Sequence, residues 1–268
     1  MSQLGVVGNI SIDRSYWGEF FGPTSIGGAA LYVALAATRA GLASRPLSVI
    51  GSDLEVIRDE PILDILDLSG VRTVPGRSAV FTLNYDSDGV LTGAKSDYGA
   101  STKITAHVLE QIRSGRDASY HVCCRRPLDI ARVLDALVQA EARFSLDFFV
   151  PSAADSIAAA ASALPLAQVV FMNAAEYDLL ADAVSVRVLH EVVVTDGRHP
   201  AQLIRSGRCV AHAVPPQVTT VDVTGSGDTL AGTFLAAMSR GFDEKVALEW
   251  AVRAASAHAA SPALRFNW

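Results

Sequence analysis

Six short apolar runs separated by helix-period stretches constrain this chain more than any other feature. The runs Leu4–Ile10, Leu47–Ile50, Ser119–Cys123, Phe144–Phe148, Val169–Met172 and Glu191–Thr195 read as strands. They are apolar almost throughout, the pattern of strands covered on both faces. Helices are expected over Ala29–Ala40, Asp53–Leu68, Leu128–Ala142, Ala153–Leu164, Ala174–Ala181, Ser226–Arg240 and Glu244–Ala260. Gly41 stands where a left-handed residue ends a helix, and Pro61 starts a second part of the 53–68 stretch. Strand–helix alternation of this kind implies an α/β fold with a mainly parallel central sheet and helices on both faces.

Two segments break the rhythm. Residues 11–25 are rich in aromatic residues and glycine. Residues 72–100 hold Ser78–Tyr85 and Val90–Ala94 around Asp86-Ser87-Asp88-Gly89, which reads as a β-hairpin projecting from the main sheet. A second hairpin, Ala201–Ile204 with Cys209–Ala213 around Ser206-Gly207, is expected near a sheet edge. The chain has 268 residues, 50% hydrophobic and 19% charged, which suits one domain over 1–268 with small lid segments at about 11–25 and 72–100.

Composition excludes several classes. A net charge of -6 gives no electrostatic reason to expect nucleic acid or an acidic membrane as partner. The three cysteines, Cys123, Cys124 and Cys209, form no CxxC pair and imply neither a disulfide framework nor a cysteine-rich zinc site. No leader is read at the start, and no uncharged apolar stretch reaches the roughly 18 residues of a membrane span, so a cytoplasmic protein is expected. Gly5-Val6-Val7-Gly8-Asn9 lacks the full glycine pattern of a dinucleotide fold.

The chemistry concentrates in Val221-Asp222-Val223-Thr224-Gly225-Ser226-Gly227-Asp228-Thr229, which opens a long helix. Gly225 and Gly227 let the backbone approach a ligand, and the helix start supplies free N–H groups and a positive dipole end. A carboxylate beside such an anion cradle needs another task, and accepting the proton of an attacking hydroxyl is one; Asp228 is placed for it. The same residues also read as a capped helix start with a dipole-complementing aspartate. No Gly-Lys-Ser/Thr follows, so this is not a Walker A loop.

Three lesser features point the same way. Gly27-Gly28 at a helix entrance permit close approach to a small molecule, or simply a tight turn. Asp13, just past the first strand, stands where open α/β sheets bind ligands and could hold two hydroxyls of a polyol, or be a solvated loop residue. Asn173 and Glu176 share one face of a helix start and could steer a hydrated Mg²⁺, or be an N-cap with an acidic first turn.

In order and spacing, these residues resemble the ribokinase, or PfkB carbohydrate kinase, family. Asp222–Asp228 is similar to its C-terminal signature, Gly27-Gly28-Ala29-Ala30 with Ala40-Gly41-Leu42 to its N-terminal glycine motif, Gly51-Ser52-Asp53 and Leu68–Val71 to its first helical unit, Asn173 and Glu176 to its NxxE motif, and Thr195-Asp196-Gly197 to its turn along the nucleotide. The resemblance implies a ribokinase-like fold with a small β-sheet lid formed by 11–25 and 72–100. It implies ATP and Mg²⁺, a monovalent cation such as K⁺ near Asp222, and leaves open a homodimer through the lid. Asp228 would be the base, with Gly225, Ser226 and Gly227 as the anion hole. Asp13, Gly27, Gly28 and Tyr32 would face the acceptor, Thr195, Gly197, Thr224 and Ser256 the nucleotide, and Asn173 and Glu176 the metal through water.

The departures fall mostly at the acceptor end. Tyr32 replaces the usual Asn, Arg198-His199-Pro200-Ala201 follows Thr195-Asp196-Gly197 without a second Gly, and Asp147-Phe148-Phe149-Val150-Pro151 lacks an Arg common in sugar-acid and fructose kinases. The expected activity is transfer of the ATP γ-phosphate to a hydroxyl of a small sugar or sugar-like polyol. The alternatives are a nucleoside kinase, with Tyr16, Trp17, Phe20, Phe21 and Tyr32 stacking on a base, and a catalytically silent ligand-binding protein.

Overall fold

The structure, a computed structural model, describes residues 3–18, 20–22, 24–86 and 91–262. The expected hairpin turn at residues 87–89, the start of its second strand at Val90, and Pro23 of the first lid segment lie outside the described residues. In chain order the elements begin with β1 (Leu4–Val7), β2 (Ser11–Trp17), β3 (Phe20–Phe21), β4 (Ser25–Gly27), α1 (Ala29–Arg39), β5 (Ser44–Gly51), β6 (Val71–Val74), β7 (Ala79–Tyr85) and β8 (Leu91–Asp97). Then come α2 (Ile104–Ser114), β9 (Ser119–Cys124), α3 (Ile130–Gln139), β10 (Arg143–Phe148), α4 (Ala153–Ala160), β11 (Val170–Asn173) and α5 (Ala174–Ala183). The chain closes with β12 (Glu191–Asp196), β13 (His199–Arg205), β14 (Arg208–Ala213), α6 (Ser226–Ser239) and α7 (Glu244–Ala259).

The main sheet runs β14-β13-β12-β11-β10-β9-β1-β5-β6, parallel except for the β12-β13-β14 meander at one edge. Its apolar strands are buried on both faces, with α1, α6 and α7 on one side and α2 to α5 on the other. The second sheet runs β3-β2-β7-β8, with β4 also on β2. This is the arrangement implied by the resemblance to the ribokinase family: an α/β fold with a large, mostly parallel sheet and a second, smaller one.

Several elements differ from the sequence reading for local reasons. The strand read to Ile10 stops at Val7, because the backbone turns off the sheet at Gly8 and Ile10 donates its N–H to Ser48 Oγ at 3.1 Å. Asp53–Leu68 is not an α-helix but a series of 3₁₀ turns, Ser52–Asp59, Pro61–Leu63 and Leu68–Gly70. Pro61 lacks the N–H that would continue a helix. Asp53 instead accepts from the N–H and hydroxyl of Ser78 at the root of β7, at 2.9 and 2.7 Å. Helix α2 and strand β6 were not read. The apolar spacing Ile104, Val108, Ile112 with Gly115 as a left-handed C-cap (φ 62) was the available signal for α2.

The α1–α6 pair sets up the site. Gly225 packs on Tyr32, Gly232 on Val33, and Arg240 Nη1 bonds the Ala40 carbonyl, so the two helices run side by side in the same direction. A Cβ at Gly232 would come within 2.3 Å of Val33 O, so the glycine permits the close approach. The N-termini of α1 and α6 therefore open at the same end of the molecule, where β1, β9, β10 and β11 also finish.

Candidate active site

A cavity of about 340 Å³ lies at the carboxyl ends of the parallel strands, bounded on the far side by the second sheet. Most of the residues singled out in the sequence meet there: Asp13, Gly28, Tyr32, Asn173, Glu176, Thr195, Thr224, Gly225, Gly227 and Asp228. Gly27 and Ser226 are chain neighbours of lining residues but are not themselves in the lining. Gly197 (φ 53), in the β12–β13 turn, and Ser256, midway along α7 with its hydroxyl on the Val252 carbonyl at 2.9 Å, lie outside the cavity.

Asp13 on β2 is 4% exposed and takes the Ser11 hydroxyl on Oδ1 at 2.6 Å. Its other oxygen fills the place that a Cβ at Gly27 would occupy, at 1.9 Å. The glycine pair thus makes room for this carboxylate. Burial pushes its pKa up to about 6; the Ser11 hydroxyl opposes the shift, while Asp228 and Asp222 add to it.

The loop before α6 forms the opposite wall. Gly225 has φ 79, and a Cβ there would strike the Tyr32 ring at 2.7 Å. Tyr32 is 3% exposed and meets His258 edge-on at 5.3 Å, while His258 Nε2 is 2.7 Å from the Thr224 carbonyl oxygen. Tyr32 therefore shapes the loop as well as lining the cavity. The Ser226 N–H donates to the Val223 carbonyl at 3.1 Å, so it is turned away from the anion-hole role expected of it. The N–H groups of Gly225 and Gly227 make no such bond among the described residues, and the space over Gly227 is open. The Ser226 hydroxyl is buried without a partner among the described residues. Asp222 spends Oδ1 on the Thr224 N–H at 2.8 Å.

Asp228, 14% exposed at its side chain, follows this loop in the first turn of α6. Burial pushes its pKa up to about 6, and the Arg125 guanidinium, 3.6 Å from its Oδ1, opposes that rise. Asn173 and Glu176 form a reciprocal capping box at the start of α5, each side chain accepting the other's N–H at 2.9 Å. Their placement is thus explained by helix capping alone, but both also line the cavity. Glu176 is 4% exposed, and burial raises its pKa to about 7.

Sequence reasoning missed Arg125, Asp147, Phe149, Phe81 and Tyr85, all in the cavity wall. Arg125 follows β9 directly and Asp147 closes β10, so the strand-end rule that found Asp13 was the signal available for them. Arg125 Nη2 is 2.8 Å from Asp147 Oδ2. The rings that line the cavity are not those expected of the lid. Trp17 stacks on Tyr85 at 4.8 Å, Tyr16 leans on Phe21 at 5.0 Å, and Phe20 is 81% exposed. His121, Cys123 and Asp147 bring donor atoms within 4.8 Å of one another, all buried. An oxygen of Asp147 is already held by Arg125, and a cation there would face the guanidinium, so the group reads as an ion-pair network.

Comparison with known proteins gives the same direction throughout. A family profile described as pfkB family carbohydrate kinase matches residues 23–267. A cytidine kinase from Thermococcus kodakarensis is 28% identical over 90% of each chain. A Burkholderia thailandensis nucleoside kinase in complex with ADP-inosine superposes with a TM-score of 0.84, at 18% identity, over 98% of this chain and 90% of the other. A ribokinase II candidate from Escherichia coli, in complex with ATP and Mg²⁺, superposes with a TM-score of 0.80, at 19% identity, over 98% and 94%. Among the described residues no helix is long and apolar enough to cross a membrane. Because the profile spans nearly the whole chain, this protein belongs to the pfkB carbohydrate kinase family and is a phosphotransferase with an alcohol group as acceptor.

Proposed function

We propose that this kinase transfers the γ-phosphate of ATP to a hydroxyl of a nucleoside. The observation that carries the reading is that one cavity joins a buried carboxylate, Asp13, a wall of rings, Phe81, Tyr85 and Phe149, and Asp228. A ribose diol and a flat base call for those two surfaces. The names of the cytidine and nucleoside kinases similar to this chain favour the nucleoside over the sugar or other polyol that the sequence put first. Membership of a kinase family displaces the reading as a silent binding protein.

In this reading the acceptor diol hydrogen-bonds Asp13, and the attacking hydroxyl gives its proton to Asp228 as its oxygen bonds the γ-phosphorus and the bond from that phosphorus to the bridging oxygen breaks, releasing ADP. A carboxyl group near 6 is ionised at neutral pH yet more basic than a solvated aspartate, which suits a general base. The free N–H groups of Gly225 and Gly227 stabilise charge on the transferring phosphoryl group. Thr195, Gly197, Thr224 and Ser256 would border the nucleotide. Hard oxygen donors suit Mg²⁺, and Asn173 and Glu176 would hold it through water. When bound, Mg²⁺ neutralises phosphate charge.

A thermal-shift and ATP-consumption screen over nucleosides, sugars and cyclitols tests the acceptor. Turnover with cytidine or inosine supports the proposal, and turnover with sugars or cyclitols alone overturns it. Glu176→Gln should raise the Mg²⁺ concentration for half-maximal rate; an unchanged Mg²⁺ titration would leave Glu176 as a capping residue only. K⁺ beside Asp222 and a homodimer through the lid extend the same proposal. Exchange of K⁺ for choline in the assay and sedimentation velocity test them.

A further inference from the structure

We propose that Arg125 is the positioning residue of Asp228: anchored from behind by Asp147, its guanidinium keeps the Asp228 carboxylate ionised and aimed into the cavity. The inference rests on the reading of Asp228 as the base. Arg125 Nη2 lies 2.8 Å from Asp147 Oδ2 and 3.6 Å from Asp228 Oδ1, so one cation serves carboxylates from two elements, β10 and α6. All three side chains are largely withdrawn from water, at 15%, 9% and 14% exposed. Charges that close are little screened there. A guanidinium does not deprotonate, so its effect persists across the working pH range.

The geometry restricts where Arg125 can go. Its guanidinium sits over the Phe149 ring, 5.4 Å from the centroid. Asp147 in turn has His121 Nε2 3.9 Å from its Oδ2, and His121 Nδ1 pairs with the Ser145 hydroxyl at 2.9 Å. The chain Ser145, His121, Asp147, Arg125 thus runs from inside the sheet to Asp228. A purely structural pair of Arg125 and Asp147 would be free to bond fully with each other. Instead Arg125 Nε and Asp147 Oδ1 stay buried and unbonded among the described residues, and the Nη2 that bonds Asp147 also stands 3.6 Å from Asp228 Oδ1.

The other charges around Asp228 define what Arg125 must offset. Asp13 on β2, Asp222 before α6, Asp147 on β10 and Glu176 on α5 are carboxylates of the same cavity region. Each favours a protonated Asp228 when ionised. Cys123 and His121 on β9, Tyr85 on β7 and His258 on α7 complete the surroundings. Arg125 is the permanent cation among them.

The test is an NMR titration of protein labelled with ¹³C-carboxyl aspartate, which needs no acceptor. The Asp228 signal is assigned by its loss in Asp228→Asn. In Arg125→Met its midpoint should rise by about 1–3 pH units, the range for removing an adjacent opposite charge. In Arg125→Lys, which keeps the charge, it should rise less. If the midpoint begins near 6, the ionised fraction at pH 7 falls roughly 2- to 90-fold, and the acid limb of turnover moves up with it. Rate recovery at high pH separates this from a structural defect. Should Arg125→Met not fold, Asp147→Asn leaves Arg125 to Asp228 alone, and the midpoint should drop below wild type. An unmoved midpoint in folded Arg125→Met, or a midpoint at or above wild type in Asp147→Asn, overturns the proposal. Near-normal turnover in Asp228→Asn would remove the base reading while leaving the titration result standing.

Discussion

Asp228→Asn is expected to lower kcat by roughly 10²–10⁴-fold, the span that losing a general base covers. The amide keeps the shape of the carboxylate but cannot take the hydroxyl proton. Nucleotide affinity should change little, because the free N–H groups of Gly225 and Gly227 remain. The wild-type rate should rise with pH through about 6, where Asp228 ionises, and the mutant should lack that limb. Stability should move the other way. The folded-state pKa lies above the ordinary aspartate value of 3.8, so the contribution of Asp228 is most favourable below that value and is lost as pH rises through about 6. The mutant should therefore melt no lower than wild type at pH 8. Stopped-time phosphorylation assays with a melting scan decide the matter: near-normal turnover in a folded mutant would remove Asp228 from the base role.

Much of the fold was legible because the chain repeats one physical pattern. Near-continuous apolar strands must be covered on both faces, which leaves few arrangements other than a parallel sheet between helix layers. What was lost lies where local and tertiary signals compete. Residues 53–68 carry helical spacing, but Pro61 and the tie from Asp53 to Ser78 hold them in 3₁₀ turns. Helix α2 buries only one narrow stripe, Ile104, His107, Val108 and Ile112, within an otherwise polar stretch, so its apolar period is faint.

At the site, legibility followed locality. The anion loop, the glycine pair and the Asn173–Glu176 box are each contiguous, so a short stretch of sequence displays them. Arg125 and Asp147 are 22 residues apart and meet only because β9 and β10 are neighbours in register, with Asp147 beside Cys123. The run after β10 holds no Arg, as the sequence shows; the guanidinium in the cavity wall is that of Arg125, after the adjacent strand β9. Tyr32 was read as facing the acceptor, yet its ring also packs on Gly225, a contact that depends on α1 and α6 lying side by side.

Asp13→Ala is expected to cost about 1.5–3 kcal/mol for each charge-assisted hydrogen bond lost to the acceptor. At about 1.36 kcal/mol per factor of ten, that is a drop in kcat/KM of roughly 10- to 150-fold per bond. The KM for ATP should hold nearly constant, since Asp13 stands on β2 and the anion loop on α6. Ser11 takes up one oxygen at 2.6 Å, and the other presses into the space left by Gly27, so the carboxylate is held in place before any acceptor arrives. Such a group is costly when empty. Its pKa of about 6 lies above the ordinary aspartate value of 3.8, so the folded state is favoured by protonation, and that benefit is lost as pH rises through about 6. Asp13→Ala should consequently gain melting temperature relative to wild type at pH 8 compared with pH 5, while losing acceptor turnover. A residue kept only for structure would lose both. If acceptor kcat/KM survives the substitution, the acceptor does not bind against β2, and the placement of its diol is wrong even though the chain remains a kinase.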